Sequence, residues 1–248
     1  QISKFLDHLF TLFPFEPPYF VKHGLPTTFI GHPLAEQLEG NDKNYRDAFG
    51  MDKDAKIISV LPGSRPGEIK RLLPTFKKTL DLLVRKYPGI HITIPTVDSV
   101  EHLLRAETEE WEIPVSIITD PNMRLNAFAA SCVALAASGT VTLELALAKV
   151  PSVIAYKVNP LSAVFGYFLV NKNAVVLPNQ LMGEKIFPLY LQWECTPANL
   201  FKAISLKIDS PTDNIAGLSN KIRDKLRAGE NSSESIAAQT ILNIVKAN

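Results

Sequence analysis

The central part of the chain, from residue 56 to residue 177, alternates short apolar, β-branched runs with longer segments of helical periodicity. The strand-like runs lie at 56–61, 91–97, 115–119, 132–136, 153–156 and 174–177. The helical segments between them lie at 68–86, 100–109, 123–130, 141–149 and 161–170. Strands that alternate with helices pair in parallel and are covered on both faces. The pattern therefore predicts an α/β fold with a doubly wound, Rossmann-like parallel sheet.

The two ends of the chain lack this alternation. Residues 1–50 contain one helix candidate at 2–12, a proline-rich aromatic turn at 13–20 and a short strand at 27–30, and a polar linker continues to about residue 55. After the predicted sheet, helices are expected at 199–208, 214–228 and 233–246, with no strand among them. We therefore predict the remnant of an N-terminal domain and its linker at 1–50, the Rossmann-like domain at 51–210 and C-terminal helices at 211–248.

The overall composition argues against several classes of function. The net charge is +1, and nucleic acid is not expected as a partner because binding it requires a concentrated positive field. The two cysteines and five histidines have no metal-binding spacing, so no metal site is predicted. The segment Asp52-Lys-Asp54 matches the DxD pattern of some metal-dependent transferases. It precedes the first predicted strand, at the edge of the sheet away from the ligand-binding side, and we interpret it as a solvated linker.

The segment Leu61-Pro-Gly-Ser-Arg65 follows the first predicted strand and leads into a helix. Ligands of open parallel sheets bind beyond the carboxyl ends of the strands, where this segment is expected. Gly63 permits close approach of the backbone, Ser64 offers a hydroxyl, and the Arg65 guanidinium can bind two phosphate oxygens beside a helix N-terminus. These features predict a diphosphate site. The alternative is an ordinary strand-to-helix turn with a solvated Arg65.

The segment Ala137-Ser-Gly-Thr-Val-Thr-Leu-Glu144 repeats this arrangement after the fourth predicted strand. Ser138, Gly139 and Thr140 bring small residues and hydroxyls to a helix start, where free amides can bind phosphate. Glu144 follows among apolar residues, where a lone carboxylate is costly unless it accepts hydrogen bonds, and the diol of a ribose is a natural donor. The alternative is a capped helix in which Glu144 pairs with a lysine.

Three further residues are expected at the same edge of the sheet. Tyr156 and Lys157 end the fifth predicted strand and can face a base or a phosphate, while Asn179 follows the sixth predicted strand in Leu177-Pro-Asn-Gln180. The candidate nucleotide-binding set therefore contains the following residues: Gly63, Ser64, Arg65, Ser138, Gly139, Thr140, Glu144, Tyr156 and Asn179.

Two segments have compositions that are compatible with contact to a membrane. The helix at 68–86 has six basic residues against Glu68 and Asp81, which is compatible with a solvated face or with contact to anionic lipid. The aromatic, uncharged segment 158–171 is too short to span a bilayer and is compatible with a buried helix or with a lipid-contacting one. The sequence leaves both pairs of alternatives open.

Several of these motifs occur together in the order typical of lipid-A-disaccharide synthases. They are Phe13-Pro-Phe-Glu-Pro-Pro18, Gly31-His-Pro-Leu-Ala35, Leu61-Pro-Gly-Ser-Arg65 with Glu68-Ile69, the segment 137–144, Val153-Ile-Ala-Tyr-Lys-Val158 and Leu177-Pro-Asn179. The chain thus resembles this family over nearly its whole length. The resemblance implies a GT-B fold, in which two Rossmann-like domains face each other across a cleft and the C-terminal one holds the nucleotide.

The resemblance also implies an activity, the inverting transfer of 2,3-diacylglucosamine from its UDP conjugate to 2,3-diacylglucosamine 1-phosphate (lipid X). The products are the β-1,6-linked lipid A disaccharide 1-phosphate and UDP, with no metal or cofactor. By the same resemblance, Arg65 neutralises the leaving diphosphate, Glu144 holds the ribose and Asn179 lines the UDP site. The implied location is the cytoplasm of a Gram-negative bacterium, and a peripheral position on the inner face of the inner membrane and a homodimer are further hypotheses.

Two departures from the family pattern limit this interpretation. Gln180 and Met182 stand where relatives commonly have smaller or aliphatic residues. The N-terminal domain that supplies the catalytic base in the family is almost wholly absent, so we expect binding without turnover if this chain is the entire polypeptide. The rival hypotheses are another UDP-N-acetylglucosamine enzyme of GT-B fold and a non-catalytic UDP-binding fragment.

Overall fold

A computed structural model describes residues 2–37, 39–158, 175–210 and 215–247. The chain forms two compact units, one made of Leu38–Ala216 and the other of Gln1–Gln37 together with Gly217–Asn248. Residues 39–50 therefore group with the sheet, whereas the sequence assigns them to the N-terminal segment. The functional domain boundaries at residues 50 and 210 stay predictions.

The described strands are β1 (Leu9–Thr11), β2 (Thr27–Phe29), β3 (Ile57–Leu61), β4 (His91–Pro95), β5 (Val115–Ile118), β6 (Val133–Ala137), β7 (Ser152–Tyr156) and β8 (Leu189–Leu191). The described α-helices are α1 (Pro17–Val21), α2 (Asp42–Phe49), α3 (Pro66–Lys86), α4 (Asp98–Thr108), α5 (Pro121–Ala130), α6 (Val141–Leu147), α7 (Leu177–Met182), α8 (Pro197–Asp209), α9 (Ile215–Leu226) and α10 (Ser233–Ala247). Short 3₁₀ turns lie at Ile2–Lys4, Pro33–Glu36 and Gln192–Glu194.

The larger unit is built on one six-stranded sheet in the order β5-β4-β3-β6-β7-β8. Every neighbouring pair of strands in this sheet is parallel. Numbered by their appearance in the unit, the strands follow the order 3-2-1-4-5-6 of doubly wound sheets. The direction in which successive strands are added to the sheet reverses between β3 and β6. The predicted Rossmann-like parallel sheet is confirmed, and its switch point lies between the strands that precede the two candidate loops.

The core explains why these segments form strands and helices. All residues of β3 and of β6 are buried, so both strands are covered on their two faces, as runs that are apolar except for Ser59 require. The helix α3 buries one apolar stripe at helical spacing, including Leu72, Phe76, Leu80 and Leu83. Pro66 stands at the start of α3, where its missing N–H is not needed by the helix.

The structure corrects the predicted strand at 174–177. Its described residues, 175–177, belong to no strand. Leu177 begins the helix α7, with Pro178 in its first turn, and the sixth strand of the sheet is β8, which pairs with β7. A short apolar run does not distinguish a strand from a helix start, and here the proline favours the helix. The helix predicted at 161–170 lies outside the described residues.

The smaller unit contains the second correction. The sequence predicts a helix at 2–12, but residues 2–4 form a 3₁₀ turn and β1 pairs in parallel with β2. Arg223 of α9 donates hydrogen bonds to the carbonyl oxygens of Ala35 and Gln37, at 2.6 and 3.2 Å. The N-terminal segment is thus held by a helix from the other end of the chain. Across the described residues, no helix combines the length and hydropathy that a bilayer span requires.

Candidate functional site

Both predicted loops line one cavity at the switch point of the sheet. The cavity measures about 430 Å³, within the usual range of small-molecule sites. Its walls come from the segments after β3, β4 and β6 and from the helices α3, α5 and α6. The lining residues are Leu61, Gly63, Ser64, Arg65, Glu68, Pro95, Thr96, Val97, Arg124, Ala137, Ser138, Gly139, Thr140, Val141 and Glu144. The structure therefore brings seven of the nine candidate residues together.

The first loop is held by Glu68, from the first turn of α3. The Glu68 carboxylate accepts a hydrogen bond from the Ser64 amide at 3.3 Å and one from the Arg65 guanidinium at 3.2 Å. Gly63 has a φ of +123°, a conformation open almost only to glycine. The Arg65 side chain is 80% exposed, so its guanidinium is accessible to an anion in the cavity. Glu68 is not among the residues predicted for the site, and it stands in the first turn of α3, where the helix dipole favours an acidic residue.

The second loop is held by its own hydroxyl groups. The Ser138 hydroxyl donates to the carbonyl oxygen of Val175, and the Thr142 hydroxyl donates to that of Gly139 at 2.7 Å. Gly139 and Thr140 are exposed to the cavity side of this loop, and the Thr140 side chain makes no capping bond to α6. Ser138 thus fixes the loop, while Gly139 and Thr140 are free to face a ligand.

Glu144 lies in the same cavity and pairs with Arg124 of α5. The Glu144 and Arg124 side chains are 11% and 30% exposed, and Oε2 lies 3.2 Å from Nη2. Burial raises the pKa of the Glu144 carboxyl above its ordinary value, and the charge of Arg124 opposes this rise. The partner is therefore an arginine rather than the lysine of the alternative hypothesis, and no local sequence pattern connects the two residues.

Two candidate residues do not line the cavity. Tyr156 ends β7 in a half-buried position, and Lys157 beside it donates a hydrogen bond to the Thr75 hydroxyl at 2.7 Å. The Asn179 side chain is buried and its amide is occupied: Oδ1 accepts from the amides of Ile186 and Phe187, and Nδ2 donates to the Phe187 carbonyl oxygen. The structure corrects the predicted placement of Asn179 at a strand end, because it lies in α7 and fastens the turn that leads to β8.

A second cavity, of about 780 Å³, lies between α4 and the edge strand β5. It is lined by Trp111, Ile113 and Val115 among others, far along the sheet from the two loops. In the described part of the chain, no three His, Cys, Asp or Glu side chains are arranged to hold a metal ion.

Comparison with known proteins identifies the family of the chain. A family profile described as lipid-A-disaccharide synthetase matches residues 1–241. The lipid-A-disaccharide synthase of Rhodospirillum centenum is 39% identical over 250 residues, which cover 99% of this chain and 62% of that protein. The chain therefore spans less than two thirds of the length of this relative.

Solved structures share the fold at low sequence identity. A UDP-GlcNAc 2-epimerase from Neisseria meningitidis, bound to UDP-GlcNAc, superposes with a TM-score of 0.62 and 13% identity, covering 97% of this chain and 62% of that one. WaaG, a glycosyltransferase of lipopolysaccharide biosynthesis, superposes with a TM-score of 0.51 and 16% identity, covering 89% and 62%. These similarities confirm the GT-B type of α/β fold. With a family match over nearly its whole length, the chain belongs to the lipid-A-disaccharide synthetase family.

Proposed function

We propose that this chain is the part of a lipid-A-disaccharide synthase that binds the UDP-sugar donor. The observation that carries the proposal is the convergence of both loops on one cavity at the switch point, with the Arg65 guanidinium exposed there. Parallel sheets of this order bind nucleotides at that point. The substrates of the whole enzyme would be UDP-2,3-diacylglucosamine and 2,3-diacylglucosamine 1-phosphate, and the products would be the disaccharide 1-phosphate and UDP.

In this proposal the chain acts on the leaving group. A base removes the proton of the acceptor's 6-hydroxyl, which attacks the anomeric carbon and displaces UDP with inversion. Negative charge develops on the β-phosphate of UDP, where Arg65 and the amides of the two loops would neutralise it. Glu68 contributes by holding Arg65 and the Ser64 amide in place. Glu144 would accept hydrogen bonds from the ribose.

The lipid character of both substrates agrees with a basic face on α3. Lys70, Arg71, Lys78 and Arg85 are exposed on this helix, whereas Lys77 is held by Asp81 at 2.7 Å. Anionic lipid attracts such a face by about 1 kcal/mol for each basic residue near the surface. We therefore infer a peripheral position at the inner face of the inner membrane.

Titration calorimetry with UDP tests the proposal for the donor site. Arg65→Ala should weaken UDP binding about 10- to 100-fold, because it removes charge-assisted hydrogen bonds to phosphate. The matched control is Arg85→Ala, an exposed arginine in the last turn of α3 and outside the cavity. Equal dissociation constants for the two variants would refute the role of Arg65.

Competition between donors tests the substrate class. UDP-2,3-diacylglucosamine and UDP-N-acetylglucosamine are titrated against bound UDP, with the protein at one fixed salt concentration. UDP-2,3-diacylglucosamine is expected to compete more strongly than UDP-N-acetylglucosamine, because its acyl chains add apolar contact area. Stronger competition by the unacylated sugar would favour the rival class of UDP-N-acetylglucosamine enzymes.

A further inference from the structure

The second cavity of the larger unit lies at an open edge of its sheet. This cavity, the β5 groove, has a volume of about 780 Å³ and shares no lining residue with the donor cavity. It is lined by residues of α4 together with Trp111, Ile113, Val115 and Ile117. The strand β5 stands at the end of the strand order and, among the described strands, pairs with β4 alone. The groove is thus an apolar surface beside an unpaired strand edge.

The open edge of β5 directs backbone groups away from the sheet. The carbonyl oxygen of Pro114 accepts a hydrogen bond from the amide of Ile92, at 3.0 Å, and therefore faces β4. Successive residues of a strand direct their backbone groups to opposite sides, so the N–H and C=O groups of Val115 and Ile117 point away from β4. An edge of this kind is a template on which a further strand can be added.

The strand itself has none of the features that usually keep an edge strand unpaired. The segment Val115–Ile118 contains no charged residue and no proline, and its register against β4 is regular over all four residues. Charges, prolines and bulges within the strand are the common ways to block pairing at an edge. Their absence from β5 leaves its backbone open to a partner.

The surroundings of the groove are acidic. Four exposed glutamates stand in the connection from α4 to β5 and at the end of α4: Glu107, Glu109, Glu110 and Glu112. The basic side chains nearby are already paired, because Arg105 contacts Glu101 and Lys77 contacts Asp81, each at 2.7 Å. The groove therefore combines an apolar floor and an open strand edge with a net negative charge.

We propose that the β5 groove binds an extended segment of a partner protein that has apolar residues at alternate positions and lysine or arginine between them. The backbone of this segment pairs with Val115 and Ile117. Its apolar side chains contact Trp111 and Ile113, and its basic side chains are attracted by the glutamates. The surface is separate from the donor cavity, so the inference does not depend on the binding of UDP.

The charge of the groove argues against other occupants. Two copies of this chain that paired through β5 would bring two acidic surfaces together, and like charges oppose such a contact. Nucleic acid and anionic lipid attract basic surfaces and are repelled by acidic ones. A basic polypeptide in extended form is the class of partner that matches the edge, the floor and the charge together.

Fluorescence anisotropy with a labelled peptide of alternating valine and lysine, about six residues long and capped at both ends, tests the strand addition. The peptide should bind the whole chain saturably. Two further peptides have N-methyl groups on the valine amides or on the lysine amides. Only one of these two sets can face β5, so one methylated peptide should bind about 10-fold more weakly and the other should bind as the parent does.

A pair of charge variants tests the role of the glutamates. Glu109→Gln with Glu112→Gln should weaken binding of the parent peptide about 2- to 10-fold at low salt, and should reduce its salt dependence. The matched control, Asp52→Asn with Asp54→Asn, removes two exposed negative charges from the segment before β3 and should bind as wild type does. All four substitutions are at exposed positions, so the variants are expected to fold.

Fluorescence of Trp111 localises the peptide. The chain has two tryptophans, and Trp193→Phe leaves Trp111 as the reporter in the groove. Its emission should change over the same range of peptide concentration as the anisotropy. An unchanged emission would place the peptide elsewhere and overturn the proposal.

Three other outcomes would also overturn it. Absence of saturable binding would leave the glutamates as charges that keep the edge from pairing. Equal affinities for the two methylated peptides, or equal losses in the two pairs of charge variants, would reduce the binding to general attraction between opposite charges. Self-association of the chain that Ile117→Lys abolishes in sedimentation would assign the edge to a second copy.

Discussion

Replacing Gly63 with alanine should disrupt the first loop, because the loop has no space for the added methyl group. Gly63 has a φ of +123°, and a Cβ at this position would lie 2.7 Å from the Cβ of Glu68 and 2.6 Å from its Oε2. The Oε2 atom can move with its side chain, but the Cβ of Glu68 is attached to the first turn of α3. Either the loop or the start of the helix must therefore shift.

The magnitude follows from two contributions. Holding a non-glycine residue in this part of φ space costs about 1–3 kcal/mol. Crowding a rigid neighbour costs about 1–3 kcal/mol more. A loss of about 2–6 kcal/mol in the free energy of unfolding is therefore expected, a large fraction of the total for a typical protein.

Urea denaturation of Gly63→Ala and Gly89→Ala measures this loss against a matched control. Gly89 also has a positive φ, of +80°, but an added Cβ would meet no atom within 4 Å. Gly89→Ala should therefore cost only the backbone strain, about 1–2 kcal/mol. UDP titration of the same samples should show weaker binding for Gly63→Ala, because the Ser64 amide and Arg65 depend on Glu68.

The comparison can refute the reasoning directly. If Gly63→Ala loses no more stability than Gly89→Ala, the close approach to Glu68 does not restrict the loop. If stability falls as expected while UDP affinity is unchanged, Glu68 does not organise the groups that bind the ligand. The second result would leave the steric argument intact and remove its functional consequence.

Further predictions concern a turn and a salt bridge outside the cavity. Asn179→Ala should lower the free energy of unfolding by about 2–4 kcal/mol, because it removes the side chain that pairs with the buried amide and carbonyl groups of Phe187. Urea denaturation measures this loss, and UDP titration under conditions in which the variant is folded measures any effect on binding. A specific loss of UDP affinity in the folded variant would instead support the predicted nucleotide contact. The Lys86 ammonium lies 2.7 Å from Asp209 and, with the Tyr87 hydroxyl, lowers the pKa of that carboxyl. Stability from this pair is present above the ordinary aspartate pKa, about 3.9, and is lost as the pH falls further through the lowered folded value. The stability difference between wild type and Lys86→Met should therefore shrink below about pH 4 in acid-series denaturation, and a pH-independent difference would contradict this assignment.

The sheet and the position of its ligand site were predictable from local sequence. The strands β3 and β6 are apolar at every position except Ser59 because both faces are buried, and a few consecutive residues are enough to show this property. Gly63 and Gly139 mark turns at the ends of those strands, and the strand order of a doubly wound sheet brings such turns to one edge. The shared cavity of the two loops followed from these local signals and one topological rule.

Local patterns were insufficient where a proline or a distant partner decided the structure. The apolar run before Pro178 is as compatible with a strand as with a helix start, and β8 lies further along the chain beside β7. Residues 9–11 form β1 rather than part of a helix because β2 is available to pair with them. Asn179 has a side chain of a type common in ligand sites, but its amide group is hydrogen-bonded to the backbone of Phe187.

By itself the sequence determined the α/β class, the two loops and the family, because each depends on residues that are neighbours along the chain. Only the tertiary structure decided the pairing of Arg124 with Glu144, the contact of Glu68 with Gly63 and the presence of Thr96 in the cavity. The wall of this site combines side chains from three strand ends and three helices. Which of them meet depends on how those elements pack, and the spacing of residues in the sequence does not contain that information.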